Sequence, residues 1–213
     1  AFEGFHLYAG SQNLNPQAIV EAQRQSFDLA LKLAADAPAP VKFLNLGGGL
    51  GIPYFPGDQR LNLKPIGDNL AQLVSQAQSA LPHAELVLEL GRYLVGEAGI
   101  YVCQVLDRKV SRGQIFLVTD GGLHHQLAAS GNFGTVVRRN YPVAIASRFD
   151  AEPEEEASVV GCLCTPLDRL ADKGHFPRAE VGDLVAVFCA GAYGASASPA
   201  MFLGQGPARE MLV

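Results

Sequence analysis

The first ninety residues alternate short apolar segments with stretches of helical periodicity, and this alternation constrains the fold more than any other feature. Three apolar segments are predicted strands: residues 4–9, 41–46 and 86–90. Two segments between them are predicted helices: residues 15–35 and 66–81. The first helix opens at Asn15-Pro16, since proline is tolerated in a first helical turn. A strand–helix–strand order favours parallel pairing through right-handed crossovers, which predicts a β/α unit over residues 1–98.

The pattern changes after Gly99, where strand-like segments follow one another without long helices. Five segments are predicted strands: residues 101–109, 114–120, 141–147, 158–162 and 184–189. Consecutive strands joined by short connections are typical of an antiparallel β domain, here residues 99–213. The acidic stretch AEPEEEA, residues 151–157, is interpreted as a solvated loop between two of these strands.

Charge and composition narrow the function classes. The net charge of −5, with no basic patch to oppose it, argues against nucleic acid as a partner. No apolar run reaches the roughly 20 residues of a membrane span, and no signal peptide is visible in the first residues. The four cysteines form no C-x-x-C pair and no zinc-like spacing with His124-His125, so no metal site is predicted. Free thiols suit a reducing cytoplasm.

A glycine run follows the second predicted strand. The segment LNLGGGLGIPY contains Gly47, Gly48 and Gly49 in succession. Glycines let backbone N–H groups approach an anion without interference from Cβ, which suits a phosphate. A glycine-rich tight turn without any ligand explains the same letters, and both interpretations stay open here.

The third predicted strand ends in ELGRY, with Glu89 and Arg92 close together. The carboxyl ends of parallel strands are where such sheets build their sites. Arginine can bind phosphate in a bidentate manner, and a buried glutamate could hold a proton on a ring nitrogen. The alternative is a surface salt bridge between the two side chains.

Three further segments combine small residues with a reactive or hydrogen-bonding side chain. The predicted strand of GFHLYAGSQ ends in Gly10-Ser11, GCLCTPLD carries two thiols over residues 161–168, and CAGAYGASASP places Tyr193 between small residues. A simple strand-to-loop turn explains the first of these equally well.

The order and separation of these five motifs resemble the fold-type III pyridoxal-phosphate (PLP) decarboxylases, which include the ornithine, arginine and diaminopimelate decarboxylases. Within them, GSQNLN and SPAMFLG are similar to bacterial members linked to exosortase systems and natural-product pathways. The resemblance covers essentially the whole chain. It implies the C-terminal part of a TIM-like (β/α)8 barrel over residues 1–98, followed by the β domain, in a homodimer with its active site at the interface.

The resemblance also implies roles for individual residues. The PLP phosphate would be held by four residues: Ser11, Gly49, Arg92 and Tyr193. The backbone of Gly47 and Gly48 would lie beside it, and Glu89 would face the pyridine nitrogen. Tyr8 stands where the family has a ring-stacking histidine, and an aromatic ring there can still cover the cofactor face but cannot be cationic.

Cys164 matches the cysteine with which the family reprotonates the carbanion in the neighbouring subunit's site; the alternative is an inert core thiol. Cys162 is expected to pack. Thr165 replaces the acidic residue that grips a distal amino group. Asp168 is expected to line the substrate pocket, with a helix N-cap or a surface charge as alternatives. His124 and His125 lie near possible substrate contacts, or are loop histidines without a specific role.

Two absences shape the predicted function. Residues 121–134, GGLHHQLAASGNFG, contain no arginine to read the distal carboxylate of diaminopimelate, so a simple diamine precursor and diaminopimelate are both disfavoured as substrates. No lysine stands in the context of the family's Schiff-base lysine, so the chain is expected to be a fragment, a processed product or one piece of a longer protein, and a separate N-terminal half is one candidate partner.

We therefore expect PLP-dependent decarboxylation of a small amino acid or an aminoacyl group on a carrier protein. The alternatives are an amino-acid racemase of the same fold type and a PLP- or phosphate-binding fragment without turnover.

Overall fold

The computed structural model describes residues 1–133 and 138–213, which form two compact units, Ala1–Leu94 and Val95–Val213. None of the helices in this described part of the chain is long and apolar enough to cross a membrane. Each unit has its own sheet.

The first unit is a three-stranded parallel sheet with strand order β1-β2-β3. Its strands are β1 (Gly4–His6), β2 (Phe43–Gly48) and β3 (Glu85–Glu89). Its helices are α1 (Pro16–Ala35), α2 (Lys64–Ala80) and the short α3 (Gly91–Val95). The parallel pairing predicted from the strand–helix alternation is confirmed, although β1 is shorter than the predicted strand over residues 4–9.

The N-terminus of α1 is fixed by its sequence. Asn15 has an extended backbone, and its side-chain oxygen accepts hydrogen bonds from the N–H groups of Gln17 and Ala18. This side-chain cap satisfies two donors that the first turn leaves unpaired, while Pro16 has no N–H to satisfy. The predicted start of the helix is confirmed.

The core of the first unit lies between the sheet and the two long helices. Phe27 of α1 and Leu44 of β2 are fully buried, and Leu73 of α2 is nearly so. The buried apolar residues of this core recur at the helical period on α1 and α2 and at alternate positions on β2. One face of each element is therefore apolar. The packing leaves the carboxyl ends of the strands uncovered for polar side chains.

The second unit contains a six-stranded sheet with strand order β6-β9-β4-β5-β7-β8. Its strands are β4 (Tyr101–Ser111), β5 (Gln114–Thr119), β6 (Val143–Ile145), β7 (Glu155–Val160), β8 (Arg169–Phe176) and β9 (Leu184–Val187). Short 3-10 segments cover Gly96–Ala98, Ala128–Ser130, Ala146–Arg148 and Phe202–Gly204. The core is formed by alternate residues of these strands, including Val105, Leu117, Val159, Leu170 and Val185.

The prediction of an antiparallel domain is wrong at one pair, because β5 and β7 run parallel with Leu117 opposite Val159. Parallel neighbours need a long crossover, and residues 120–154 supply it. The sheet is therefore mixed.

Two further expectations are corrected in this region. The acidic stretch 151–157 is not entirely a loop, since β7 begins at Glu155 and the Glu155 carboxylate forms a mostly buried ion pair with Arg108. Strand β8 was not predicted at all. Its residues Asp172, Lys173 and Gly174 interrupt the apolar alternation, and Lys173 has a positive φ of 49°.

Candidate functional site

Strands β1, β2 and β3 bring three polar side chains together, with His6 and Glu89 at the carboxyl ends of β1 and β3 and Asn45 on the strand between them. Oε1 of Glu89 lies 2.8 Å from Nδ2 of Asn45 and 3.4 Å from Nε2 of His6. Glu89 is half exposed in this chain rather than buried as expected, because β3 is an edge strand of the described sheet. The carboxylate is thus positioned by two neighbours but remains open to a ligand.

Asn45 connects this carboxylate to the glycine run. Its Oδ1 accepts a hydrogen bond from the N–H of Gly47 at 2.8 Å, while its Nδ2 donates to Glu89. A single amide side chain therefore fixes the start of the glycine run relative to Glu89. Asn45 was not predicted as a site residue, although its position two residues before the glycine run was a usable signal.

The loop after β1 pairs with the glycine run. The N–H of Asn13 donates to the carbonyl of Gly49 at 2.9 Å, and the N–H of Gly51 donates to the carbonyl of Asn13 at 3.0 Å. This short ladder brings Ser11, two residues before Asn13, beside Gly49. Two segments that are distant in sequence, and that were both predicted to contact a phosphate, are therefore adjacent.

Arg92 on α3 reaches the same loop. Its Nη2 lies 3.5 Å from Oγ of Ser11, and its Nη1 lies 3.4 Å from Oε1 of Gln12. The guanidinium also lies over the ring of Tyr54, 5.6 Å from its centroid. Gln12 is braced in turn by two hydrogen bonds to the backbone of Ile52. Sequence analysis missed Gln12, whose φ of 53° is unusual for a residue other than glycine.

Backbone packing explains why the run consists of glycines. A Cβ on Gly49, which has a φ of +86°, would lie 2.4 Å from the carbonyl oxygen of Gly10, and a Cβ on Gly48 would lie 1.7 Å from that of Glu89. The strand ends therefore approach too closely for any side chain at these positions. The tight-turn interpretation is thus satisfied, and it is compatible with a ligand beside the same backbone.

The donors at this edge suit a phosphate-bearing ligand. A cavity of about 220 Å³ lies beside the loop after β1, and its lining combines Ser11, Gln12, Gly48 and Gly49 with apolar residues such as Ile19 of α1 and Leu46 of β2. A hydroxyl, a guanidinium and glycine backbone stand close together around Ser11, Arg92 and Gly49, which is the chemistry that binds phosphate in proteins. With the Glu89 carboxylate nearby, these residues fit pyridoxal phosphate. Tyr8, two residues beyond β1, is 71% exposed, and its stacking role stays a prediction.

The second unit holds the predicted proton donor. Cys164 and Cys162 are exposed on the loop of residues 161–168, so neither the core-thiol alternative for Cys164 nor the packing expected of Cys162 is correct. Cys103 and Cys189 are buried, and burial raises the pKa of the Cys103 thiol to about 12. The Cys103 thiol is therefore unsuited to proton transfer near neutral pH.

Asp168 differs from both of its alternative interpretations. It is 3% exposed, and β8 rather than a helix begins after it, so it is neither a surface charge nor a helix cap. Its Oδ1 accepts from the N–H of Leu123 at 2.6 Å and its Oδ2 from that of Leu163 at 2.9 Å. These contacts are all with protein backbone, and they give no support to the expected substrate contact. Thr165 likewise forms local bonds, donating its N–H to the carbonyl of Leu163 at 2.8 Å.

Tyr193 has a φ of 61°, a left-handed conformation that is strained for a residue other than glycine. Its side chain is 40% exposed and lies beside Phe133, with 5.5 Å between ring centroids. Such strain is often kept where a side chain must point in a particular direction. The phosphate contact of Tyr193 stays a prediction.

The two adjacent histidines behave differently. His124 is buried, and neither of its ring nitrogens has a hydrogen-bond partner. His125 bridges the hydroxyl of Tyr101 at 3.0 Å and the carbonyl of Gly206 at 3.1 Å. The interpretation as exposed loop histidines is therefore wrong for His124. Gly134, the end of this segment, lies outside the described residues, and the described part of the chain contains no group of three or more side chains able to hold a metal ion.

Comparison with known families identifies the class of protein. Residues 8–191 match the family described as pyridoxal-dependent decarboxylase, C-terminal sheet domain. The chain belongs to this family. The family's cofactor is the ligand that the polar edge of the first unit fits.

Particular relatives follow from the same comparison. The chain is 40% identical to the L-glutamyl-[BtrI acyl-carrier protein] decarboxylase of Niallia circulans, over 99% of this chain and 50% of that protein. It is 35% identical to the diaminopimelate decarboxylase of Archaeoglobus fulgidus, over 90% of this chain and 44% of that protein. The chain thus spans about half the length of the curated relatives it matches.

Solved structures agree. The diaminopimelate decarboxylase of M. jannaschii in complex with L-lysine superposes with a TM-score of 0.77 at 25% identity, covering 96% of this chain and 45% of that one. The lysine/ornithine decarboxylase of Vibrio vulnificus in complex with cadaverine superposes with a TM-score of 0.72 at 26% identity, covering 97% and 52%. The resemblance inferred from the motifs is confirmed at the level of the family.

Proposed function

We propose that this chain is part of a PLP-dependent decarboxylase, in which residues 1–98 complete a (β/α)8 barrel and residues 99–213 form the β domain. The observation that carries the proposal is the polar edge of the first unit. There Ser11 and Arg92 lie 3.5 Å apart beside the glycine run, and Asn45 links that run to Glu89. Membership of the pyridoxal-dependent family supports the same function.

The residues of this chain divide the work between binding and proton control. Ser11, the Gly47–Gly49 backbone, Arg92 and Tyr193 hold the phosphate. Glu89 keeps a proton on the ring nitrogen, and Asn45 and His6 hold its carboxylate in place. Tyr8 covers the ring face. Pyridoxal phosphate, when bound, accepts the electron pair released as CO2 leaves.

Cys164 returns a proton to the product carbon, and it does so in the site of a second subunit, so the enzyme works as a homodimer. Exposure of the thiol supports this role, because a group that serves another subunit must lie at the surface of its own. Two-fold symmetric dimers are the commonest homo-oligomers of soluble proteins.

The substrate class that fits best is an aminoacyl group on a carrier protein. Residues 121–134 contain no arginine to bind a distal carboxylate, and Thr165 cannot form an ion pair with a distal ammonium group. A site without either charge suits a substrate whose far end is not a free charged group. The Niallia circulans relative is named for a carrier-bound glutamyl substrate.

The test is CO2 release by the complete protein supplied with PLP. Four substrates are compared: an L-glutamyl carrier protein, free L-glutamate, meso-diaminopimelate and L-ornithine. We expect turnover of the carrier-bound substrate above the three free amino acids. Loss of optical activity without CO2 would instead identify a racemase. A visible absorbance band of bound PLP, without turnover of any substrate, would identify a binding protein.

A further inference from the structure

One aspartate contacts the backbone of both residues that flank Cys164. Oδ2 of Asp168 accepts from the N–H of Leu163 at 2.9 Å, and the N–H of Asp168 donates to the carbonyl of Thr165 at 3.2 Å. Leu163 and Thr165 are the residues on either side of Cys164. The cysteine's backbone is therefore held from both sides, while its thiol remains exposed.

The same aspartate ties this loop to the rest of the unit. Its Oδ1 accepts from the N–H of Leu123 at 2.6 Å, and its carbonyl accepts from the N–H of Gly161 at 3.0 Å. The side chain is almost completely buried. Hydrogen bonds to a buried carboxylate are charge-assisted and about twice as strong as neutral ones, so these contacts anchor the loop firmly.

Two glycines leave the space that the carboxylate occupies. A Cβ on Gly122 would lie 2.1 Å from Oδ1 of Asp168, and a Cβ on Gly161 would lie 2.2 Å from Oδ2. Any side chain at either glycine would displace the carboxylate. The Asp168 carboxylate therefore occupies the space that Gly122 and Gly161 leave by having no side chain.

We propose that Asp168 is a positioning residue that sets the location of the Cys164 thiol. The proposal rests on the proposed function for what Cys164 does, whereas the contacts stand independently of it. A thiol on an unanchored loop would occupy many positions, and a displacement of about 1 Å from the reacting atom can cost about 10²-fold in rate. Asp168 thus acts through Cys164 and not on the substrate.

Asp168→Asn tests this inference in the complete enzyme with PLP. The amide keeps the shape of the side chain but replaces one acceptor oxygen with a donor. Hydrogen exchange at the Leu163 and Leu123 amides should then accelerate about tenfold or more at one or both positions. The kcat for decarboxylation should fall by about 10²-fold with little change in KM, since substrate binding is not affected. Asp150→Asn, at an exposed aspartate, is the matched control and should change neither measurement.

Cys164→Ser separates the two proposals. If this variant keeps its activity, the proposed role of Cys164 fails, while the exchange data still report on Asp168. If Asp168→Asn shows normal kcat and normal exchange, the positioning role is overturned. If Asp168→Asn does not fold, the wild-type protein decides: protection of the Leu163 amide supports the inference, and exchange at the rate of a free amide overturns it. Gly161→Ala keeps the charge of Asp168 but places a methyl group in the space that its carboxylate occupies. This variant should therefore lower kcat as Asp168→Asn does.

Discussion

Nδ2 of Asn45 donates a hydrogen bond to Oε1 of Glu89 at 2.8 Å, across the β2–β3 pair of the parallel sheet. The other end of the same amide accepts from the N–H of Gly47. The proposed phosphate-binding run and the proposed ring-binding carboxylate are thus linked by one side chain, and the distance between them is set by the sheet.

Asn45→Ala should loosen this link. We expect a loss of about 1 kcal/mol in the free energy of unfolding, because one amide supplies both hydrogen bonds and the site is partly exposed. The kcat for decarboxylation should fall more than the affinity for PLP. Urea unfolding, PLP titration and CO2 release measure the three quantities. Gln25→Ala removes an exposed side-chain hydrogen bond on α1 and should change none of them.

Glu89→Gln should leave PLP bound but lower kcat by about 10²-fold or more, because a neutral amide cannot stabilise a proton on the ring nitrogen. Absorbance titration reports the binding, and CO2 release reports the rate. Glu85→Gln, at the opposite end of the same strand, serves as the control. Near-normal turnover in Glu89→Gln would show that this carboxylate does not face the ring.

Arg92→Lys should weaken PLP binding by about tenfold, since lysine keeps the charge but loses the planar pair of donors that grips a phosphate. Inorganic phosphate, used as a competitor, should displace PLP from the wild-type protein and have less effect on the variant. Arg209→Lys changes an exposed arginine near the C-terminus and should bind PLP normally. Equal affinities in wild type and Arg92→Lys would remove Arg92 from the phosphate site.

His124→Leu should make the protein less sensitive to acid. Burial, followed by the neighbouring His125, lowers the pKa of His124, although Asp168 acts in the opposite direction. As the pH falls below about 6.5, the ordinary pKa of histidine, the unfolded chain takes up a proton that the folded chain resists, so stability decreases toward acid.

The variant removes that contribution, and at pH 7.5 it should be as stable as wild type or more stable, because two unpartnered ring nitrogens leave the core. Urea unfolding at pH 5.5 and 7.5 gives the comparison. If wild type and His124→Leu lost the same stability between pH 7.5 and pH 5.5, the lowered pKa of His124 would be contradicted.

Subunit mixing tests the proposed dimer. In the complete protein, Cys164→Ala and a variant lacking the lysine that binds PLP should each be nearly inactive alone. After exchange they should regain up to about a quarter of wild-type activity, because half the dimers are mixed and each restores one of two sites. Native mass measurement confirms the exchange. No recovery after confirmed exchange would place the action of Cys164 within its own subunit.

Local sequence patterns predicted part of this structure correctly. The helical period and the proline of the first turn predicted α1 correctly, because a helix satisfies its hydrogen bonds among residues close in sequence. Strand β8 and the parallel pairing of β5 with β7 were not predicted. Strands are completed by distant partners, and the crossover of residues 120–154 leaves no local signal of direction.

The order of five short motifs, read from the sequence alone, determined the family and the residue types of the site. Tertiary structure decided what each side chain touches. Asn45 and Gln12 join the site only because the strand ends meet, and Asp168 is a buried anchor because two glycines in distant segments leave room for its carboxylate. Residue types and their order are properties of the chain, whereas hydrogen-bond partners and burial depend on contacts that form only when distant segments pack together.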